Sequence, residues 1–245
     1  VSKFIGLVIV FFLFLKKTGI RISPVYFRPF PKDTAKKLLF IGLPSCGEEL
    51  SYNLSQIVIL GFINIFGTTV IAAYSAAIKL NNLVITCFTQ LGNGMSNYIS
   101  QNIGAGKEER LAPGFTAGLR MSYVVLAPIV LLYFLFPRAP ISVFMNEGSQ
   151  AALTTGVQFL RIVSPFYLVI VVKLIADGVL RGAGLMSQFM ISTFTDLLLR
   201  VVLCIGLSSA FGVVGIWCSW PIGWIIGTGL SLWFYRGFTR RLGRP

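Results

Sequence analysis

Long apolar runs separated by short polar links dominate the sequence. A bilayer core takes about 20 mostly apolar residues per helix at about 1.5 Å each. By that measure the runs at residues 1–15, 38–66, 70–99, 112–136, 157–185, 189–211 and 213–235 predict seven helical segments, the first short and the last two parted by Gly212. The links between full spans are short, so successive helices are expected to pack as antiparallel neighbours. The pattern predicts an all-α polytopic membrane helix bundle. Residues 1–16 read as the end of a transmembrane helix, 17–37 as a basic cytoplasmic linker, 38–236 as a lobe of six transmembrane helices, and 237–245 as a basic cytoplasmic tail.

The start of the chain also has the look of a secretory signal, with Lys3 ahead of the apolar Phe4 to Leu15. No small-residue cleavage site follows, and Lys16-Lys17 instead reads as the basic stop of a spanning helix. With Val1 rather than Met at the start, the chain is expected to be a piece of a longer protein.

Charge supplies the orientation. Lys and Arg number 21 against 8 Asp and Glu, a net of +13, yet charged residues make up only 12% of the chain and hydrophobic ones 55%. A nucleic-acid domain would not be so apolar, so no nucleic-acid partner is expected and the basic residues belong in membrane links beside lipid. Lys16, Lys17, Arg21, Arg28, Lys32, Lys36 and Lys37 share one side with Lys107, Arg110, Arg120, Arg181 and the tail Arg236, Arg240, Arg241 and Arg244. The other side keeps Lys3 and Arg138. The positive-inside rule therefore places the C-terminus in the cytoplasm of a multi-pass protein of the cell membrane.

The absence of His removes His triads, His metal sites and imidazole relays, leaving carboxylates as the proton carriers. Cys46, Cys87, Cys204 and Cys218 stand alone without C-x-x-C spacing and read as small buried residues. No metal, organic cofactor or nucleophile–base pairing is expected, and hence no enzyme.

Ionisable residues within a span cost at least about 2.5–3.5 kcal/mol each, so they face a cavity or a partner and mark a pathway. The span at 38–66 carries Glu48 and Glu49, with Tyr52, Ser55 and Gln56 on the same third of the helix. Pro44, just before them, removes a backbone donor and frees the carbonyl of Phe40. This face predicts a cation site that takes H⁺ or Na⁺ at Glu48 or Glu49; the plainer alternative is a glutamate at the membrane surface or paired with a lysine. Lys173, Asp177 and Arg181 lie at i,i+4 spacing, as do Asp196 and Arg200, so both ladders can neutralise themselves. Asp177 is a further candidate for cation coupling. Lys79 has no acid within one turn and either crosses to Glu48 or Glu49 or snorkels. Pro128, Pro165 and Pro221 permit bends, and Gly215, Ser219, Gly223, Gly227 and Ser231 form a small-residue packing stripe. Pro44 and Pro165 open spans three helices apart, a faint sign of two three-helix units.

Three motifs carry a family resemblance. Gln101-Asn102-Ile103-Gly104-Ala105-Gly106-Lys107-Glu108-Glu109-Arg110 resembles the Q-N-x-G-A-G-x-x-x-R signature of the multidrug and toxic compound extrusion (MATE) transporters. Gly178-Val179-Leu180-Arg181-Gly182-Ala183-Gly184 is similar to the family's L-R-G-x-G segment in its tenth helix, and Gly42-Leu43-Pro44-Ser45 to the start of its seventh. The resemblance implies the end of helix six through helix twelve, one six-helix lobe of a two-lobe antiporter, with the N-terminal lobe of the same protein as partner. It further implies export of organic cations and other amphipathic drugs in exchange for H⁺ or Na⁺ by alternating access. The family's seventh-helix carboxylate, about two turns after the proline in many members, falls here on Tyr52, with Glu48 one turn after Pro44; its tenth-helix aspartate falls on Ile170, not on Asp177. Its first-helix aspartate would lie outside this chain.

On that reading, protonation of Glu48 or Glu49 favours one arrangement of the lobes and binding of an organic cation the other. Tyr52, Gln56, Phe166 and Tyr167 are the candidate substrate-binding residues, the aromatics through cation–π contact. Two rivals remain: a lipid-linked oligosaccharide flippase of the same superfamily, relying on Lys79, Lys173 and Arg200, and a non-transporting subunit assembled by the Gly/Ser stripe.

Overall fold

A computed structural model describes residues 2–18, 32–145 and 150–242. Most of the predicted basic linker, with Arg21 and Arg28, and Arg244 of the tail lie outside the described residues, as do the side chains of Lys3, Lys37 and Pro44.

The described residues form helices and no strand: α1 (Ser2–Thr18), α2 (Lys32–Asn64), α3 (Thr68–Gly104), α4 (Leu111–Leu135), the short α5 (Arg138–Ser142), α6 (Gln150–Val163), α7 (Tyr167–Gly182) and α8 (Met186–Leu242). Single 3-10 turns, Glu108–Arg110 and Ser164–Phe166, lead into α4 and α7. The chain divides into two compact units, 1–42 and 43–245. In the first, the apolar residues of α1 such as Phe12 and Leu13 are exposed.

In the second unit, four stretches are long and apolar enough to cross a membrane: Thr68–Gly104, Glu108–Leu135, Gln150–Gly182 and Met186–Arg241. The last supplies two spans, because α8 turns back at Gly212 (φ 59°, ψ −137°), a backbone conformation that only glycine adopts without strain. Its arms, 186–211 and 213–242, run antiparallel, Ser192 meeting Ser231 near one end and Leu207 meeting Gly215 near the turn. The polar face of α2 lowers its apolarity, so it is not among these four, but its 33 residues are long enough to reach across a bilayer. The result is an all-α polytopic membrane bundle, with the predicted break at Gly212 in place.

The predicted span at 157–185 falls in one spanning stretch, Gln150–Gly182, which a 3-10 turn divides into two helices. Pro165 lacks an N–H and crowds the preceding turn, so the chain tightens into a 3-10 turn between α6 and α7. Pro128 and Pro221 stay within α4 and α8.

The two signature glycine triplets close helices in the same way. Gly106 (φ 68°) and Gly184 (φ 74°) follow α3 and α7, with Lys107 N–H donating to Asn102 O (2.9 Å) and Leu185 N–H to Leu180 O (2.8 Å). Both are Schellman caps, which need the left-handed conformation that Gly supplies. Between these ends α3 and α7 approach backbone to backbone: a Cβ on Gly92 would sit 2.6 Å from Leu174 O, and one on Gly178 would collide with Gly92 O.

The core is an aromatic column. Trp217, Trp220 and Trp224 of α8 are fully buried with Phe159 and Tyr167; Trp217 stacks on Tyr74 at 5.8 Å, and Tyr167 lies 5.7 Å from Trp224. Ile59 and Ile63 of α2 pack into the same cluster. Large apolar side chains such as Val124, Leu131, Leu198 and Trp233 point outward, which suits a surface solvated by lipid. The same solvent corrects the reading of the cysteines: Cys204 is buried and Cys218 half-buried, but Cys46 and Cys87 are exposed. A weakly polar thiol on a lipid-facing helix has no need of a protein interior.

Candidate functional site

A cavity of about 430 Å³ opens among α2, α3, α7 and both arms of α8. Its walls bring together charges from three helices: Glu48 and Glu49 from α2, Lys173 from α7, Asp196 and Arg200 from α8.

Each intrahelical ladder forms one ion pair, but Arg181, the third member of the first, joins none among the described residues and lies 5.1 Å over the Phe189 ring. Lys173 Nζ lies 2.7 Å from Asp177 Oδ2, and Arg200 Nη2 lies 3.4 Å from Asp196 Oδ2. All four residues are at most 4% exposed. Asp177 is held further by Ser231, whose hydroxyl donates to Oδ1 at 2.6 Å, and Ser231 in turn meets Ser192. The small-residue stripe of α8 thus packs inward onto the charges rather than toward another chain. A Cβ on Gly223 would lie 2.8 Å from Asp196 Oδ1, and one on Gly227 would lie 2.9 Å from Lys173 Cε. Only glycine leaves room there for the ion pairs.

Glu48 is half-buried and Glu49 exposed, and among the described residues neither forms an ion pair. With Lys173 matched by Asp177 and Arg200 by Asp196, Glu48 and Glu49 are the cavity carboxylates outside any ion pair, while Arg181, itself unpaired, and Lys173 act on Glu48 through space. Lys79 is exposed, joins no ion pair among the described residues and does not line the cavity.

The remaining candidates fall on both sides of the cavity wall. Tyr52 lines it. Behind it, Gln56 Nε2 donates to Tyr52 Oη at 2.9 Å, and Tyr74 donates to Gln56 Oε1 at 2.9 Å. Tyr52 donates to Asn82 Oδ1 at 3.2 Å, and fully buried Tyr167 donates to Asn81 Oδ1 at 3.0 Å. Tyr167 therefore does not line the cavity but backs its wall at Asn81 and Trp224, and Phe166 packs in the core beside it. Asn81 and Asn82 of α3, both lining the cavity, join the polar face of α2 to α7. Sequence reasoning passed over them, although two adjacent amides inside an apolar span are themselves a signal of a polar interior. Thr193 and Trp220 were missed as well.

The arrangement can hold a cation against Glu48, Glu49 and Tyr52, with amide and hydroxyl oxygens close by. Among the described residues no cluster of His, Cys, Asp and Glu is suited to a structural metal.

Comparison with known proteins agrees with this architecture. The MatE family model matches residues 44–206. The chain is 24% identical over 208 residues to the probable multidrug resistance protein YoeA of Bacillus subtilis, covering 84% of this chain and 44% of that protein. It is 25% identical over 223 residues to the uncharacterized transporter YisQ of the same organism, covering 89% of this chain and 48% of that one. It thus spans about half the length of these curated relatives. Among solved structures, a MOP superfamily transporter from Pyrococcus furiosus, whose binding pocket is of reverse polarity, superposes with a TM-score of 0.85 at 18% identity, over 98% of this chain and 54% of that chain.

Proposed function

The chain belongs to the MatE family, and from that premise we propose that it forms one lobe of an antiporter exporting organic cations and other amphipathic drugs against entering H⁺ or Na⁺. The observation that carries this reading is the unmatched pair of carboxylates: Glu48 and Glu49 face the cavity while the other charges there are paired. In the low dielectric of a membrane interior such carboxylates gain a counter-charge from either a coupling ion or a cationic solute. The two ligands compete for one charge, and exchange requires in addition that each favour a different state of the protein. Tyr52 adds a ring and a hydroxyl beside the site, held in place by Gln56 and Asn82. Asp177, bound to Lys173 and Ser231, serves as the anchor of that lysine. Small organic cations are the solute partners, and the other lobe of the same protein is the structural one. The protein resides in the cell membrane with its C-terminus in the cytoplasm, in keeping with exposed Lys107, Arg110, Arg236, Arg240 and Arg241. The name of YoeA supports drugs as the cargo.

A flippase for an anionic lipid-linked sugar is the second reading, favoured by Lys173 and Arg200 on the cavity wall. Their aspartate partners count against it.

Ethidium efflux from cells expressing the full-length protein separates the two. Glu48→Gln is expected to slow efflux at least about tenfold, within the range of typical coupling energies, and exposed Glu49→Gln to slow it less. Efflux at the parental rate in both variants would refute the assignment, and dependence on Arg200 with independence from Glu48 would favour the flippase.

A further inference from the structure

Two buried tyrosines fix the direction of the hydrogen bonds around Tyr52. Tyr74 is 4% exposed, stacks on Trp217 at 5.8 Å and meets Phe159 edge-on at 6.4 Å. In these apolar surroundings its hydroxyl proton has one acceptor among the described residues, Gln56 Oε1 at 2.9 Å. A buried O–H without an acceptor is costly, so the Gln56 carboxamide turns its oxygen to Tyr74 and its nitrogen the other way, where Nε2 donates to Tyr52 Oη at 2.9 Å. With an N–H aimed at its oxygen, Tyr52 sends its own proton elsewhere, to Asn82 Oδ1 at 3.2 Å. Asn82 is set from the opposite side. Fully buried Tyr167 donates to Asn81 Oδ1 at 3.0 Å, which leaves Asn81 Nδ2 to face Asn82 Oδ1 at 3.5 Å. Both chains of donors therefore end on the one Asn82 oxygen.

The direction matters because of Glu48. It stands one turn before Tyr52 on the same ridge of α2, and both residues line the cavity. Among the described residues no hydrogen bond joins them, since the Tyr52 hydroxyl is taken by Gln56 and Asn82. A phenol has one proton to donate. Given to Glu48, that proton would satisfy the carboxylate in place of a cation; given to Asn82, it leaves the carboxylate to a cation. We infer that Tyr74 is a positioning residue for cation binding, which through Gln56 holds the Tyr52 proton on Asn82 and away from Glu48. Neither Tyr74 nor Gln56 lines the cavity, so both act through Tyr52. This inference rests on Glu48 being the cation site.

The test is a double-mutant cycle on ethidium binding to the purified full-length protein, followed by fluorescence polarisation. Tyr74→Phe keeps the ring stack and removes only the hydroxyl. Gln56 is then free to turn, the Tyr52 proton can reach Glu48, and ethidium is expected to bind about fivefold more weakly, the scale of one net hydrogen bond. In a Tyr52→Phe background there is no proton to redirect, so adding Tyr74→Phe should leave the affinity of that background unchanged. Gln56→Leu cuts the relay at its middle and should show the same dependence on Tyr52; it decides the matter if Tyr74→Phe does not fold. Parental affinity in Tyr74→Phe overturns the inference, as does an equal loss in both backgrounds, which is what a merely structural role of Tyr74 would give. Ethidium binding unchanged by Glu48→Gln overturns the cation-site reading beneath it, and the inference with it.

Discussion

Lys173 and Asp177 are buried together on one turn of α7, and their value is best measured by taking them apart. Removing one member of a buried pair leaves the other charge uncompensated and costs about 3–5 kcal/mol, whereas replacing both by apolar residues of similar size is close to neutral. Lys173→Met should therefore lower the melting temperature of the solubilised full-length protein sharply, and Lys173→Met with Asp177→Leu should recover most of the loss. A single variant as stable as the parent would mean that the pair contributes nothing. The pair itself was legible in the sequence, because i,i+4 spacing on one helix needs no tertiary information. So was the polar face of Glu48, Glu49, Tyr52, Ser55 and Gln56. That Glu48 lacks an ion-pair partner was not legible, since the answer depends on which residues of α3, α7 and α8 face α2. For the same reason Tyr167 looked like a substrate contact: an aromatic beside a proline reads alike whether its hydroxyl opens on a cavity or, as here, ends on Asn81.

Among the elements, α3 and α7 form the closest pair, and the signature glycines divide by what they do there. Gly178 meets the backbone of α3 at Gly92, and Gly182 meets it at Ser96. Gly104 has nothing within 4 Å of where a Cβ would stand. Backbone cannot yield as a flexible side chain can, so Gly178→Ala is expected to cost about 1–3 kcal/mol, as overpacked cores do. Gly104→Ala should be neutral by the same thermal unfolding measurement. Equal tolerance of both would show that the close approach is not what the glycine serves. Helix identities were readable from the apolar runs, and the reversal at Gly212 from one glycine between two spans. The division of α6 from α7 was only half readable, because Pro165 announces a bend but not whether the helix resumes after one 3-10 turn. Helix α5 had no signal: Arg138–Ser142 is too short for any periodicity.

For the molecule as a whole, the charge pattern links structure to activity. Basic residues collect at links on one side of the predicted spans, each buried ladder forms one ion pair, and the charge on the cavity wall outside any ion pair is that of Glu48 and Glu49. The central claim is that this charge is shared in turn by a coupling ion and a cationic solute. The chain spans about half the length of its relatives, so the claim belongs to the full-length protein. The most direct measurement reconstitutes that protein in lipid vesicles, imposes a H⁺ or a Na⁺ gradient, and follows ethidium movement in parent and Glu48→Gln forms. The account predicts that one of the two gradients drives ethidium against its own gradient in the parent, and that Glu48→Gln no longer responds to it. Gradient-driven transport undiminished in Glu48→Gln would contradict it.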